Sequence, residues 1–123
     1  MSIPTDRQYT AEHEWVVLAD GTATVGVTAF ATDSLGDVVY LDLPAVGSEV
    51  VAGQPCGEIE STKSVSDLYS PVTGTVASLN EAAVDAPEVV NSDPYGDGWL
   101  FSVTVEAEGP LLDAEAYTAL TQG

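Results

Sequence analysis

Basic residues are almost missing from this chain. Its 123 residues hold one lysine, Lys63, and one arginine, Arg7, against 20 acids, a formal net charge of −18 at pH 7. Such a surface repels nucleic acid and anionic membranes. It complements cationic patches on protein partners, although the same charge also serves solubility. Cysteine occurs once. Cys56 cannot close an internal disulfide, which suits a reducing compartment, and it is expected as a small buried strand residue rather than a nucleophile. Long apolar runs are missing too: residues 38–41 are among the longest, far short of a membrane span. The opening "MSIPTDRQYT" has no basic start and no apolar stretch. No signal or transit peptide is therefore expected, which points to a bacterial cytoplasm.

What remains is a chain of ordinary apolar content, 45%, and a length that predicts one domain over residues 1–123. Short β-rich runs alternate with Gly and Pro. "EWVVLADGTATVGV" reads as a hairpin turning at Asp20-Gly21. "TAFATDSLG" reads as a short helix with Thr28 as N-cap and Gly36 as a left-handed stop. "DVVYLDLP" is a strand ended by Pro44, and "GSEVVAGQPCGEIES" gives two strands split by Gly53 and Pro55. "SVSDLYSP" sets Val65, Asp67 and Tyr69 against Ser64, Ser66, Leu68 and Ser70. "GTVASL" begins another strand, "NEAAVDAPEVVN" holds one helical turn before Pro87, and residues 99–106 form a strand. "LDAEAYTALTQG" is a terminal helix capped by Asp113. Trp15 and Trp99 are expected to be packing anchors. Asp93 and Asp97 in "NSDPYGDG" lack the ligand spacing of a calcium loop and read as a turn. The pattern predicts a mainly β barrel or sandwich with small flanking helices and a C-terminal helix.

"GEIESTKSVSDLYSP" places the sole lysine between two such runs, near the tip of a hairpin. Four roles are open to it: surface cation, amine catalyst, anion site and attachment point. A surface role does not explain why no other lysine is present. Amine catalysis needs a neutral nitrogen, and model lysine titrates near ~10.4. Glu60, Asp67 and the acidic surround favour the ammonium. One cation among acids is also a poor anion site. Attachment remains: acylation removes the charge, and a group adding roughly ten bonds of ~1.5 Å extends the reach by about 10 Å.

The stretch around Lys63 resembles a lipoyl-attachment motif, with Ile59 and Glu60 before the lysine and Leu68 and Gly74 after it. "YTAEHEWV", "VGVTAFATDSLGDVVYLDLPAVG" and "VNSDPYGDGWL" resemble the glycine cleavage system H proteins, over nearly the whole chain. The neighbours Thr62 and Ser64 differ from the methionines usual beside biotin. No linker or second domain points to a 2-oxoacid dehydrogenase.

The resemblance implies a flattened β-barrel/sandwich hybrid of the lipoyl-domain type and a non-catalytic carrier without a metal. Lys63 would carry lipoate covalently. The partners implied are the pyridoxal-phosphate glycine decarboxylase, the tetrahydrofolate-dependent aminomethyltransferase, dihydrolipoamide dehydrogenase and a lipoylating enzyme, with no nucleic acid, no membrane and a monomeric chain. Glu60 and Gly74 belong to the attachment motif. Glu14, Asp67 and His13 match positions of a cleft that shelters the loaded arm, His13 having an alternative role in holding the N-terminal segment. Gly74, inside a strand, is also expected at a bulge or a close backbone approach. The segment "EAEGPL" looks short beside the family pattern, which commonly has a helix or longer connection there.

Overall fold

The computed structural model describes residues 4–122. In chain order its elements are β1 (Gln8–Tyr9), β2 (Glu14–Ala19), β3 (Thr22–Val27), α1 (Ala29–Leu35), β4 (Val38–Asp42), β5 (Glu49–Val50) and β6 (Pro55–Ser61). Then follow β7 (Val65–Tyr69), β8 (Val72–Leu79), α2 (Glu81–Asp85), α3 (Val89–Ser92), β9 (Phe101–Glu108) and α4 (Ala114–Gln122). Six strands pair in the order β1-β2-β3-β9-β8-β5, and three in the order β4-β6-β7. No helix among the described residues is long and apolar enough to cross a membrane.

The turn chemistry explains the first hairpin. Asp20 and Gly21 have φ of 52° and 79°. A two-residue loop with both φ positive matches the right-handed twist of its strands, and Ala19 faces Thr22 directly. Thr28 caps α1 by accepting from the Ala31 N–H. Gly36 stops it with φ 82° and ψ −156°. The φ is positive as expected, but the conformation is extended rather than left-handed helical, because the chain runs straight on into β4.

One apolar cluster draws on both sheets: Val16, Val25, Phe101 and Val103 from the larger, and Leu41, Ile59 and Leu68 from the smaller. At ~25 cal/mol per Å² of apolar surface, this burial is the main favourable term in folding. A second cluster stacks Tyr9 on Tyr117 beside Trp15. Trp15 is fully packed, and its indole N–H donates to the Pro94 carbonyl. Arg7 lies 4.6 Å over its ring. Trp99 is half-buried against the same cluster.

Three expectations change. The last strand is Phe101–Glu108 rather than residues 99–106. Trp99 is held in the preceding turn, its N–H donating to Gly96 and its carbonyl accepting from the Asn80 side chain. Ala107 and Glu108 extend the strand by pairing with Thr73 and Val72. A second short helix, α3, follows Pro87, a residue suited to helix starts because its missing N–H has no partner to lose there. Cys56 is half-buried rather than buried. The 106–111 segment is short as expected: it finishes β9 without a helix, and Leu112 then bridges Tyr9 through two backbone bonds of 2.7 Å.

Gly74 sits at a register shift in β8, and a Cβ there would collide with the Thr104 carbonyl. Gly74→Ala is expected to cost about 1–3 kcal/mol through overpacking, lowering Tm by roughly 4–12 °C. A calorimetric Tm equal to the parent's would show that β9 has room to yield.

Candidate functional site

The β6–β7 reversal is built around one hydroxyl. Ser61 is buried, and its Oγ accepts from the N–H groups of Lys63 at 3.2 Å and Ser64 at 3.1 Å. Its own N–H donates to the Ser64 carbonyl at 2.8 Å. A serine side chain that bonds the backbone two and three residues on stabilises a turn locally. The Thr62 N–H then donates to the Asp37 carbonyl at 3.0 Å, tying the tip to the chain entering β4. Asn91 holds that chain in turn: Oδ1 accepts from the Val38 N–H at 2.8 Å, and Nδ2 donates to the Gly36 carbonyl at 2.9 Å.

Lys63 rides on this anchored tip, exposed. Its Cε passes so close to Gly36 that a Cβ there would come within 3.0 Å. Among the described residues it makes no ion pair, whereas Arg7 pairs with Asp6 at 3.0 Å.

Two concavities lie along the hairpin. The nearer, about 370 Å³, has Ser64, Val65 and Ser66 on one side and His13, Phe30 and Leu35 on the other. The deeper, about 190 Å³, is walled by Tyr69, Pro71, Pro110 and Leu112 and holds Glu14. Glu12 lines both, so the two adjoin at this residue as neighbouring parts of one grooved surface.

Glu14 is 2% exposed. Thr10 donates to its Oε1 at 2.6 Å, and the Tyr69 N–H approaches its Oε2 at 3.4 Å. Burial pushes its carboxyl up to about 8, although both hydrogen bonds act the other way. Among the described residues no cation pairs with it to supply the compensation that a buried carboxylate needs. Burial also pushes the Cys56 thiol up to about 12, helped by the nearby Glu14 charge, so Cys56 is a poor nucleophile at neutral pH.

His13 adopts φ 71°, a left-handed conformation that His enters more readily than most residues. Its Nδ1 lies 2.8 Å from the Tyr117 hydroxyl. Its alternative role therefore changes: it engages α4, not the N-terminal segment, and it lines the groove as well. Asp67 is exposed on β7 between Val65 and Tyr69, on the same face by strand alternation, yet lines neither concavity. It stands opposite Glu58, which stands opposite Asp42. The next row toward the tip is Tyr40, Glu60 and Val65. All six are exposed.

The structure thus sets Glu14 in the deeper concavity and His13 in the nearer one, with Glu12 shared between them, and Lys63 directly precedes Ser64 on the rim of the nearer one. Glu60 and Asp67 flank the groove on the outer sheet face, and Gly74 lies in the other sheet. Asp93 accepts from the Asp97 N–H at 2.9 Å, which closes the turn it was expected to form. Ser61, Asn91, Thr10 and Glu12 are additional site residues. Only Ser61 carried a local signal, a serine at the start of a four-residue reversal.

A profile of the family described as Glycine cleavage H-protein matches residues 7–123. The glycine cleavage system H protein of Beutenbergia cavernae is 63% identical over 123 residues, covering 100% of this chain and 99% of that one. The protein of the same name from Thermobifida fusca is 60% identical over 124 residues, covering 100% and 98%. Among solved structures, a glycine cleavage system H protein from Mycobacterium marinum aligns with a TM-score of 0.95 at 49% identity, covering 98% of this chain and 100% of that one. The two-sheet arrangement is accordingly the barrel–sandwich fold of lipoyl type. With matches of this extent in both sequence and fold, the chain belongs to the glycine cleavage H-protein family, the non-catalytic lipoyl carriers of the glycine cleavage system.

Proposed function

We propose that Lys63 bears lipoate in amide linkage at Nζ, and that residues 1–123 act as one monomeric carrier. Its cargo is the aminomethyl group of glycine, taken from the glycine decarboxylase to the aminomethyltransferase in a bacterial cytoplasm. The observation that carries this is the placement of the chain's sole lysine, exposed on a fixed reversal at the mouth of a groove. Lipoate, when attached, supplies a disulfide that receives the cargo and that dihydrolipoamide dehydrogenase restores.

The residues present fit such a group. From Lys63 to Tyr69 is six residues of strand, about 20 Å at ~3.3 Å each. The lysine stem and the arm together count roughly fifteen bonds of ~1.5 Å, which in zigzag spans a similar distance. The arm therefore reaches Glu14 when laid along the groove. Glu14, ionised, accepts a charge-assisted hydrogen bond from the ammonium of the cargo, and Pro71, Pro110 and Leu112 keep water off it. Glu60, beside the tip, is the residue the lipoylating enzyme reads, and Gly74 maintains the frame behind it. Asp42, Glu58 and Asp67 form an acidic row that receives cationic patches on the partner enzymes, with Tyr40 and Val65 giving apolar contact.

Intact mass after expression in a lipoylating host is expected to rise by one lipoyl group, and peptide mapping should place it on Lys63. A biotin-sized gain, or no gain at all, overturns the reading. Reversing Glu58 and Asp67 to lysine should slow lipoylation and flatten its salt dependence; identical salt curves would remove the acidic row from docking.

Glu14→Ala should speed loss of the loaded group about 10- to 100-fold, the worth of a hydrogen bond to a charged group at ~1.5–3 kcal/mol. The empty groove carries a pH signature as well. A carboxyl raised to about 8 binds its proton more tightly folded than unfolded, where it titrates near ~4.3. Stability from this group is therefore greatest below the unfolded value and is lost as pH rises toward 8. Glu14→Gln should be more stable than the parent at pH 9, with the gap closing toward pH 5. A constant gap in Tm across that range would mean that Glu14 ionises freely in its pocket.

A further inference from the structure

The groove wall facing the lysine hairpin is made by His13 and Phe30, whose rings lie 4.6 Å apart. Neither belongs to the C-terminal helix, yet both are tied to it through one hydroxyl. Tyr117 is fully buried on α4 and stacks on Tyr9 at 4.8 Å with an interplanar angle of 11°. Its Oη lies 2.8 Å from His13 Nδ1 and 2.7 Å from Thr28 Oγ1. Thr28 is the N-cap of α1, the helix that carries Phe30. The Thr28 N–H donates in turn to the His13 carbonyl at 3.0 Å. A closed circuit of side chain and backbone therefore joins the left-handed turn at His13, the start of α1 and the middle of α4.

We propose that α4 is a clamp on the groove, with Tyr117 as a positioning residue whose hydroxyl locks the His13 and Phe30 wall to the N-cap of α1. The proton order follows from the partners. In the proposed order Thr28 Oγ1, which accepts from the Ala31 N–H, gives its own proton to Tyr117 Oη, and Tyr117 donates to His13 Nδ1. His13 is then neutral, protonated on Nε2, with Nδ1 as acceptor. Burial favours the same neutral form by holding its titration below the ordinary range, against the opposing charge of Glu12. A ring held at Nδ1 by a buried phenol cannot rotate out of the wall without breaking that bond, which leaves Tyr117 Oη with Thr28 as its remaining partner. The clamp thus sets the width of the groove at the end where the arm enters.

His13 is the only histidine in the chain, so its ring nitrogens can be read directly by ¹⁵N NMR in the full-length protein. The variant is Tyr117→Phe, which keeps the stack on Tyr9 and removes only the hydroxyl. The parent ring is expected to hold a single Nε2–H tautomer. The variant should show mixed tautomers and a titration midpoint moved up toward the ordinary value for histidine. On the lipoylated, loaded protein the same variant should release its group several-fold faster. An unchanged tautomer and midpoint overturn the clamp. An altered ring with unchanged release overturns it too, because His13 would then be held without setting the groove. The release readout rests on the carrier reading; the NMR readout does not, so failure of one is distinguishable from failure of the other.

Discussion

The Thr62 amide and the Asp37 carbonyl lie 3.0 Å apart, and this bond carries the pairing of β4 with β6 one residue past Ser61 and Val38, into the tip itself. Without it residues 62–64 would be held by the Ser61 side chain and by the strand pairing that ends at Glu60 and Val65. With it the tip becomes part of the sheet, since Asp37 is fixed by Asn91 through Gly36 and Val38. A long flexible arm delivers its end usefully only if its root is fixed. The rigidity of residues 61–64 and the freedom of the lysine side chain are therefore two halves of one design. Loops held by a rigid scaffold are where function concentrates.

The groove shows the opposite use of energy. Burying Glu14 without a cation destabilises the folded chain whenever that carboxyl is charged, and Thr10 and Tyr69 offset only part of this. A purely structural role would favour an apolar side chain at that position. On the proposed role, a carboxyl kept in a pocket with apolar walls is prepared for a cationic cargo, whose arrival supplies the missing charge. Local costs of this kind are expected at functional sites and are balanced elsewhere in the fold. Here the balance comes from the apolar cluster shared by the two sheets and from the Tyr9, Trp15 and Tyr117 stack.

Much of this was legible in the sequence because the signals were local. Asp20-Gly21 dictates a mirrored turn through its φ preferences, Thr28 caps the helix that follows it, and Gly74 marks a close backbone approach. Lys63 stood out because nothing else like it is present. The parts that were not legible depend on residues far apart in the chain. Asn91 reaches Gly36 and Val38 across more than fifty positions. Tyr117 meets His13 across 104 positions, so the terminal helix could be foreseen but its hold on the groove could not. Trp99 misled for a related reason: its β propensity is high, but the Asn80 side chain claims its carbonyl for a turn.

The charge of the chain follows from the same geometry. A carrier that visits several enzymes must present one reactive amine and one way of approach. On the proposed role, an additional exposed lysine would offer a second amine for modification, and an additional cation near the groove would neutralise Glu14 in place of the cargo. Arg7 does neither, because it lies over Trp15 and is paired with Asp6 and the Tyr95 carbonyl. The acids carry no such penalty. Ranged across β4, β6 and β7 as Asp42, Glu58 and Asp67, they orient an approaching cationic surface over long range and leave Lys63 at its edge. On the proposed role, the scarcity of bases and the abundance of acids serve one end beside solubility: a single nitrogen is found, modified once and then reached by different partners from the same side.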